Sequence, residues 1–141
     1  MKKLVAIAAL SLSTVLASPA WADDALYQAL GQKPGLTALM DDFMLRLLAD
    51  PRMQPFFKDT NQVNFKAQLV DQVCQVAGGP CTYKGADMKS AHSSMDITKT
   101  HFNALVEVLQ QSMDARNIAF GTQNKLLSKL APMHRDVITV K

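Results

Sequence analysis

Apolar residues recur along this chain at spacings of three and four, the period of helices that bury one face. "DALYQALG" reads as a short helix stopped by Gly31. "PGLTALMDDFMLRLLAD" places Leu36, Leu39, Met40, Phe43, Met44, Leu47 and Leu48 on one broad apolar face, and Pro51 ends it. "PRMQPFFKDT" predicts a single turn around Pro55 that delivers Phe56 and Phe57 to the interior. In "NQVNFKAQLVDQVCQVA" the stripe is Phe65, Leu69, Val73 and Val76, flanked by Val70 and Cys74, with Asn61 as N-cap. Gly78-Gly79-Pro80 stops that helix. A loop runs to Gly85, and "DMKSAHSS" fits a two-turn helix capped by Asp87. Thr98 caps "KTHFNALVEVLQQSMDAR", which turns Phe102, Leu105, Val106, Leu109 and Met113 inward. A last helix starts at Thr122, with a kink or break at Pro132. No period-two strand pattern, internal repeat or second domain is visible. The fold class is all-α.

The first 22 residues follow a different rule. Lys2 and Lys3 precede an apolar stretch over residues 4–17, and Ala20-Trp21-Ala22 forms an A-x-A site before Asp23-Asp24. This is the pattern of a secretory signal peptide. The stretch is short of the roughly 20 apolar residues that span a bilayer, so cleavage after Ala22 is favoured over an uncleaved anchor. The expected organisation is a signal peptide over 1–22 and one domain over 23–141, in the periplasm or secreted, with no membrane attachment after cleavage. Losing Lys2 and Lys3 lowers the formal charge from +3 to +1. No basic run or basic–aromatic interleaving remains to grip a nucleic acid.

Cys74 and Cys81 are the only cysteines. In an exported chain an even pair favours a disulfide, worth about 2–3 kcal/mol by chain entropy for so short a loop. Two buried thiols are the alternative. Two cysteines at this spacing lack the matching pair a zinc site needs.

Catalytic signatures are sparse. Ser93, Ser94, His92 and Asp96 contain the residue types of a hydrolytic triad, but no nucleophile-elbow glycine pattern accompanies them. No HExxH or acidic metal loop is present. Met88 lies four residues before His92, so both share one face of their short helix. A histidine facing an apolar, aromatic-lined space suits an axial haem ligand. On pattern alone a half-exposed histidine bonded to backbone is the simpler reading.

From Leu26 to Val140 the chain resembles the group 1 truncated haemoglobins. The pieces are "LYQALG", "LTALMDDFMLRLLADPRMQPFF", "AGGPCTYKGADMKSAH", "ITKTHF" and "LAPMHRDVI". Asp42-Phe43, Phe56-Phe57 and the run Gly-Gly-Pro…Tyr-x-Gly-x-x-Met-x-x-x-His stand in the family's order, and the run ending in His92 is the most specific. The resemblance implies a truncated globin, a two-over-two helical sandwich around haem b (iron protoporphyrin IX). It implies His92 as the proximal iron ligand, donating its other N–H to a carbonyl or water. It implies Phe57 wedged against the porphyrin, with Phe43, Met88, Ile97 and Phe102 lining the haem or adjoining it. Thr60, Asn64 and Lys89 are weaker candidates near the propionates.

The facing side departs from the family's pattern. Many members carry a tyrosine after the helix phenylalanine and a glutamine on the facing helix, which hydrogen-bond bound dioxygen. Here Met44, Phe65 and Leu69 take those places, and none is a strong donor. The expectation is a gas pocket poor in donors, with faster O₂ release than in tyrosine-containing relatives. Gln68 and Gln72 flank the apolar pair and would supply a bond by turning inward, but their neighbours' helical phase favours the reading that points them away. Met44 is read as core filler ahead of a sixth ligand. His101 is expected on the surface. Some family members link a histidine near the position of His134 to a haem vinyl, though the match is approximate.

The implied function is binding of diatomic gases (O₂, NO, CO) trans to a proximal histidine, as oxygen carriage or NO handling. An NO dioxygenase activity would call for an unknown reductase. The alternatives are periplasmic electron transfer or haem trafficking, and a haem-free helical interaction module.

Overall fold

Some helices of this chain begin where a side chain satisfies one of their free N–H groups. The computed structural model describes residues 23–140, and the expected signal peptide lies outside them. Its helices are α1 (Ala25–Ala29), α2 (Gln32–Ala49), α3 (Gln54–Phe57), α4 (Gln62–Val76), α5 (Met88–His92), α6 (Lys99–Ala115), α7 (Phe120–Leu130) and α8 (His134–Val137), and a 3-10 turn, Ala131–Met133, joins the last two. No strand occurs among the described residues.

Asn61 caps α4 by accepting the N–H of Asn64 at 3.1 Å, and Asp87 caps α5 by accepting that of Ser90 at 2.9 Å. Thr98 and His101 form a reciprocal capping box on α6. Gly31, between α1 and α2, and Gly78, after α4, have φ of 80° and 83°. Glycine adopts that left-handed conformation without steric cost. Three boundaries differ from the sequence expectation. Helix α2 starts at Gln32, ahead of Pro34, because proline is tolerated in a first turn whose N–H groups lack partners anyway. Helix α7 starts at Phe120 rather than Thr122, with Ala119 in the cap position. Helix α5 is five residues long instead of two full turns. At Pro132 the helix tightens into the 3-10 turn, as proline's missing donor requires.

Helix α2 packs on α4 and α6, and α4 touches α7, which sets one helix pair over the other. Leu36, Leu39 and Leu47 of α2 are fully buried, together with Met113 of α6 and Leu126 of α7. Each such side chain contributes about 1.5–3 kcal/mol relative to exposure. Helix α5 stands apart from this core and packs on α8. Cys74 and Cys81 are joined in a disulfide, with Cα atoms 5.7 Å apart, which resolves the choice between a bond and two thiols. No helix among the described residues is long and apolar enough to cross a membrane.

Candidate functional site

Between the helix pairs and α5 lies a cavity of about 800 Å³, within the usual range for cofactor pockets. Helix α2 lines it with Met40 and Phe43, and α3 with Phe56 and Phe57. Helix α4 contributes Phe65, Gln68, Leu69, Gln72 and Val73. From α5 come Met88, Ala91 and His92, and from the following turn Met95 and Ile97. Helix α6 supplies His101, Phe102, Leu105, Val106 and Leu109. The C-terminal segment adds Leu130, Met133 and Val137. The wall is therefore mainly aliphatic, aromatic and thioether.

His92 is half-buried on this wall. Its Nδ1 lies 2.7 Å from the carbonyl oxygen of Met88. A carbonyl only accepts, so Nδ1 carries the proton and Nε2 keeps the lone pair. His101 has the opposite arrangement. Its Nδ1 accepts the N–H of Thr98 at 3.2 Å, so in the neutral ring Nε2 carries the proton. One histidine on the cavity thus keeps a lone pair on Nε2 and the other an N–H. Among the described residues no three His, Cys, Asp or Glu side chains gather as a metal site would need. A lone imidazole in an apolar slot fits an iron whose remaining protein-independent ligands a porphyrin would supply, and these residues fit haem.

Of the residues expected at the site, His92, Phe57, Phe43, Met88, Ile97, Phe102, Phe65 and Leu69 all line the cavity. Met44 does not. It is 3% exposed and buried, one position beyond Phe43. A single helical step is about 100°, so Met44 leaves the wall that Met40 and Phe43 share. Thr60 lines the cavity, whereas Asn64 and Lys89 are exposed and do not.

Two further expectations change, for His101 and for the two glutamines of α4, while His134 agrees with its approximate match. His101 is half-buried on the cavity, its ring centroid 4.9 Å from that of Phe56. Its place in the capping box draws it in, and the Thr-x-x-His spacing is the sequence signal for that. Gln68 and Gln72 line the cavity rather than pointing away from it. Positions 65, 68, 69, 72 and 73 are separated by threes and fours and form a single face. Gln72 directs its amide nitrogen to the sulfur of Met88 at 3.5 Å and of Met133 at 3.8 Å. His134 is exposed and off the cavity wall, with Nδ1 2.9 Å from the oxygen of Ala131 and its ring 6.3 Å from Phe102.

Two residues hold α5 in place. Tyr83 donates its hydroxyl to the carbonyl oxygen of Ala86 at 2.8 Å. Burial, and secondarily the nearby Asp87 charge, raise the Tyr83 phenol above its ordinary value. The Ser90 hydroxyl, then the Ser90 N–H, hold the Asp87 carboxyl below the usual carboxylate value.

The family described as bacterial-like globin matches residues 25–139. The group 1 truncated hemoglobin GlbN of Mycolicibacterium paratuberculosis is 30% identical over 114 residues, covering 81% of this chain and 84% of that protein. The group 1 truncated hemoglobin of Tetrahymena pyriformis is 28% identical over 113 residues, 80% of this chain and 93% of that protein. The crystal structure of the Tetrahymena pyriformis truncated hemoglobin in its Fe(III) form matches with a TM-score of 0.77 at 28% identity, covering 80% of this chain and 97% of that one.

Proposed function

This chain belongs to the bacterial-like globins and is a group 1 truncated haemoglobin, and from that premise we propose that it binds haem b through His92 and takes diatomic gases (O₂, CO, NO) on the opposite side. Membership in a haemoglobin family implies haem and gas binding. The observation that carries His92 as the ligand is its hydrogen bond to Met88, which fixes the tautomer and leaves Nε2 bare at a mainly apolar cavity. Haem, when bound, would supply the iron that binds a small diatomic ligand. The chain's own part is to orient the imidazole, to wedge Phe57 and Phe102 against a flat apolar guest, and to limit water.

Polar groups on the gas side are few. Gln72 is occupied with two thioethers, so Gln68 is the amide on the α4 face left to meet a bound ligand. That supports gas handling with moderate O₂ retention. An exported location fits the pattern of residues 1–22 and the Cys74–Cys81 disulfide, which persists in oxidising compartments. Intact mass of exported protein checks it: a mass that includes residues 1–22 defeats the cleavage.

The deciding experiment is the absorption spectrum of wild type and His92→Ala, ferrous, with and without CO. The expected result is a CO-sensitive Soret band in wild type that the substitution abolishes or shifts to an altered coordination. Unchanged haem uptake and an unchanged ferrous spectrum in His92→Ala would remove His92 from the iron.

A further inference from the structure

The segment between α4 and His92 contains no regular structure from Pro80 to Asp87, yet it is pinned at every stage. Cys74, fully buried on α4, is bonded to Cys81. The N–H of Gly79 donates to the carbonyl oxygen of Cys74 at 2.8 Å. A Cβ at Gly79 would meet Tyr27 Cδ2 at 2.6 Å and Cys74 Sγ at 2.7 Å, so chain and disulfide are tightly nested. Two residues past Cys81, the N–H of Tyr83 donates to Gln75 Oε1 at 2.6 Å. The Tyr83 hydroxyl then fixes Ala86, and the next residue, Asp87, caps the helix that ends in His92. Cys74 and Gln75 belong to the helix whose Leu69, Gln72 and Val73 line the cavity. The bonds therefore run from one part of the cavity wall to another, and the cysteine pair is the only covalent one.

We propose that the Cys74–Cys81 disulfide and Tyr83 are positioning residues for His92, a strut that fixes α5 relative to α4, and that opening the disulfide weakens the histidine's hold on haem. The proposal rests on the reading of His92 as the iron ligand. It makes the haem site responsive to dithiol reductants. Cys74 is fully buried and Cys81 half-buried, so attack falls on the Cys81 sulfur. A reductant thiolate bonds to Cys81 Sγ as the S–S bond breaks, and Cys74 leaves as thiolate and takes a proton. The reductant's second thiolate then closes its own disulfide and releases Cys81. The protein gains two electrons and two protons, and the dithiol is oxidised by the same amount.

The test is the rate at which ferric haem transfers to excess apomyoglobin. It is measured on the disulfide-bonded protein, on the same protein after dithiothreitol, and on the Cys74→Ala/Cys81→Ser double variant with and without dithiothreitol. Loss about tenfold faster is expected for both opened forms, the scale on which a lost outer support weakens a metal site. The double variant should not respond to the reductant, and reoxidation should restore the slow rate of wild type. Tyr83→Phe, which keeps the ring and loses the hydroxyl, should fall between. The ferrous iron–histidine stretching band should shift or broaden in the opened forms while far-UV circular dichroism stays the same. Equal transfer rates overturn the proposal. So does acceleration with an unchanged iron–histidine band and a parallel loss of helicity, which marks general loosening. A disulfide-bonded wild type that gives no His92-dependent Soret band before any reductant is added overturns the haem assignment itself, and this proposal with it.

Discussion

The Nδ1 of His92 sits 2.7 Å from the main-chain oxygen of Met88, one turn back on the same short helix. That partner is a neutral carbonyl, which accepts the Nδ1 proton without bringing a charge to the ring. A carboxylate in the same place would pull the proton further and make a stronger ligand. The ferrous five-coordinate protein should therefore show an iron–histidine stretching band at lower frequency than a peroxidase reference whose proximal histidine bonds a carboxylate. Resonance Raman measured on both proteins checks it, and a band at the peroxidase position would contradict the Met88 hydrogen bond.

Gln68 and Gln72 share the α4 face on the cavity, but they are not equivalent. Gln72 already directs its amide to Met88 and Met133. Gln68→Leu should raise the O₂ dissociation rate of the ferrous protein about fivefold, the equivalent of one hydrogen bond of about 1 kcal/mol. Gln72→Leu should change it less than twofold while disturbing the packing around Met88. Leu69→Gln should act in the opposite sense and slow release. Stopped-flow displacement of O₂ by CO gives all three rates. Equal effects of the two leucine substitutions would count against a division of labour.

Helix placement was largely legible because it depends on local signals. The threes and fours of α2 and α4, the caps at Asn61, Asp87 and Thr98, and the break at Pro132 all lie within one or two turns of the residues that cause them. The run ending in His92 was legible through its resemblance to a family, since no periodicity distinguishes a ligand from a surface histidine. What escaped was the aim of side chains at the edge of a face. Helical phase suggested that Gln68 and Gln72 face away, but they share the stripe of Phe65 and Leu69 and line the cavity, with Gln68 still exposed. Met44 shows the converse, an apolar residue whose burial is elsewhere. His101 was misplaced because its position follows from a capping box that couples two side-chain and main-chain bonds.

That capping box has a measurable share in stability. His101→Ala removes the acceptor for the Thr98 N–H and the ring that meets Phe56. The cost should be about 1 kcal/mol, the typical value of a lost cap. His101→Gln offers an acceptor at the same N3 position, as capping boxes do, and should recover about half of it. Urea denaturation midpoints of the three proteins decide the matter. If alanine and glutamine are equally destabilising, the ring contact with Phe56 outweighs the cap.

Acid should act on the site through Asp87. Hydrogen bonds from Ser90, side chain first and then main chain, hold its carboxyl below the ordinary value of 3.8. The unfolded chain then takes up this proton before the folded chain does as the pH falls. The stabilising contribution is complete above 3.8 and is lost as the pH drops through the lowered folded value. The loss occurs at the N-terminus of the helix that carries His92, so haem release should accelerate in that window. Other carboxylates titrate there too, and the comparison with Asp87→Asn isolates this one. Asparagine keeps an oxygen for the Ser90 N–H but has no proton to gain. The variant should release haem somewhat faster than wild type at neutral pH and show a shallower acid dependence. Soret decay followed between about pH 5 and pH 3 measures both, and identical slopes would mean that the Asp87 cap does not govern the hold on haem.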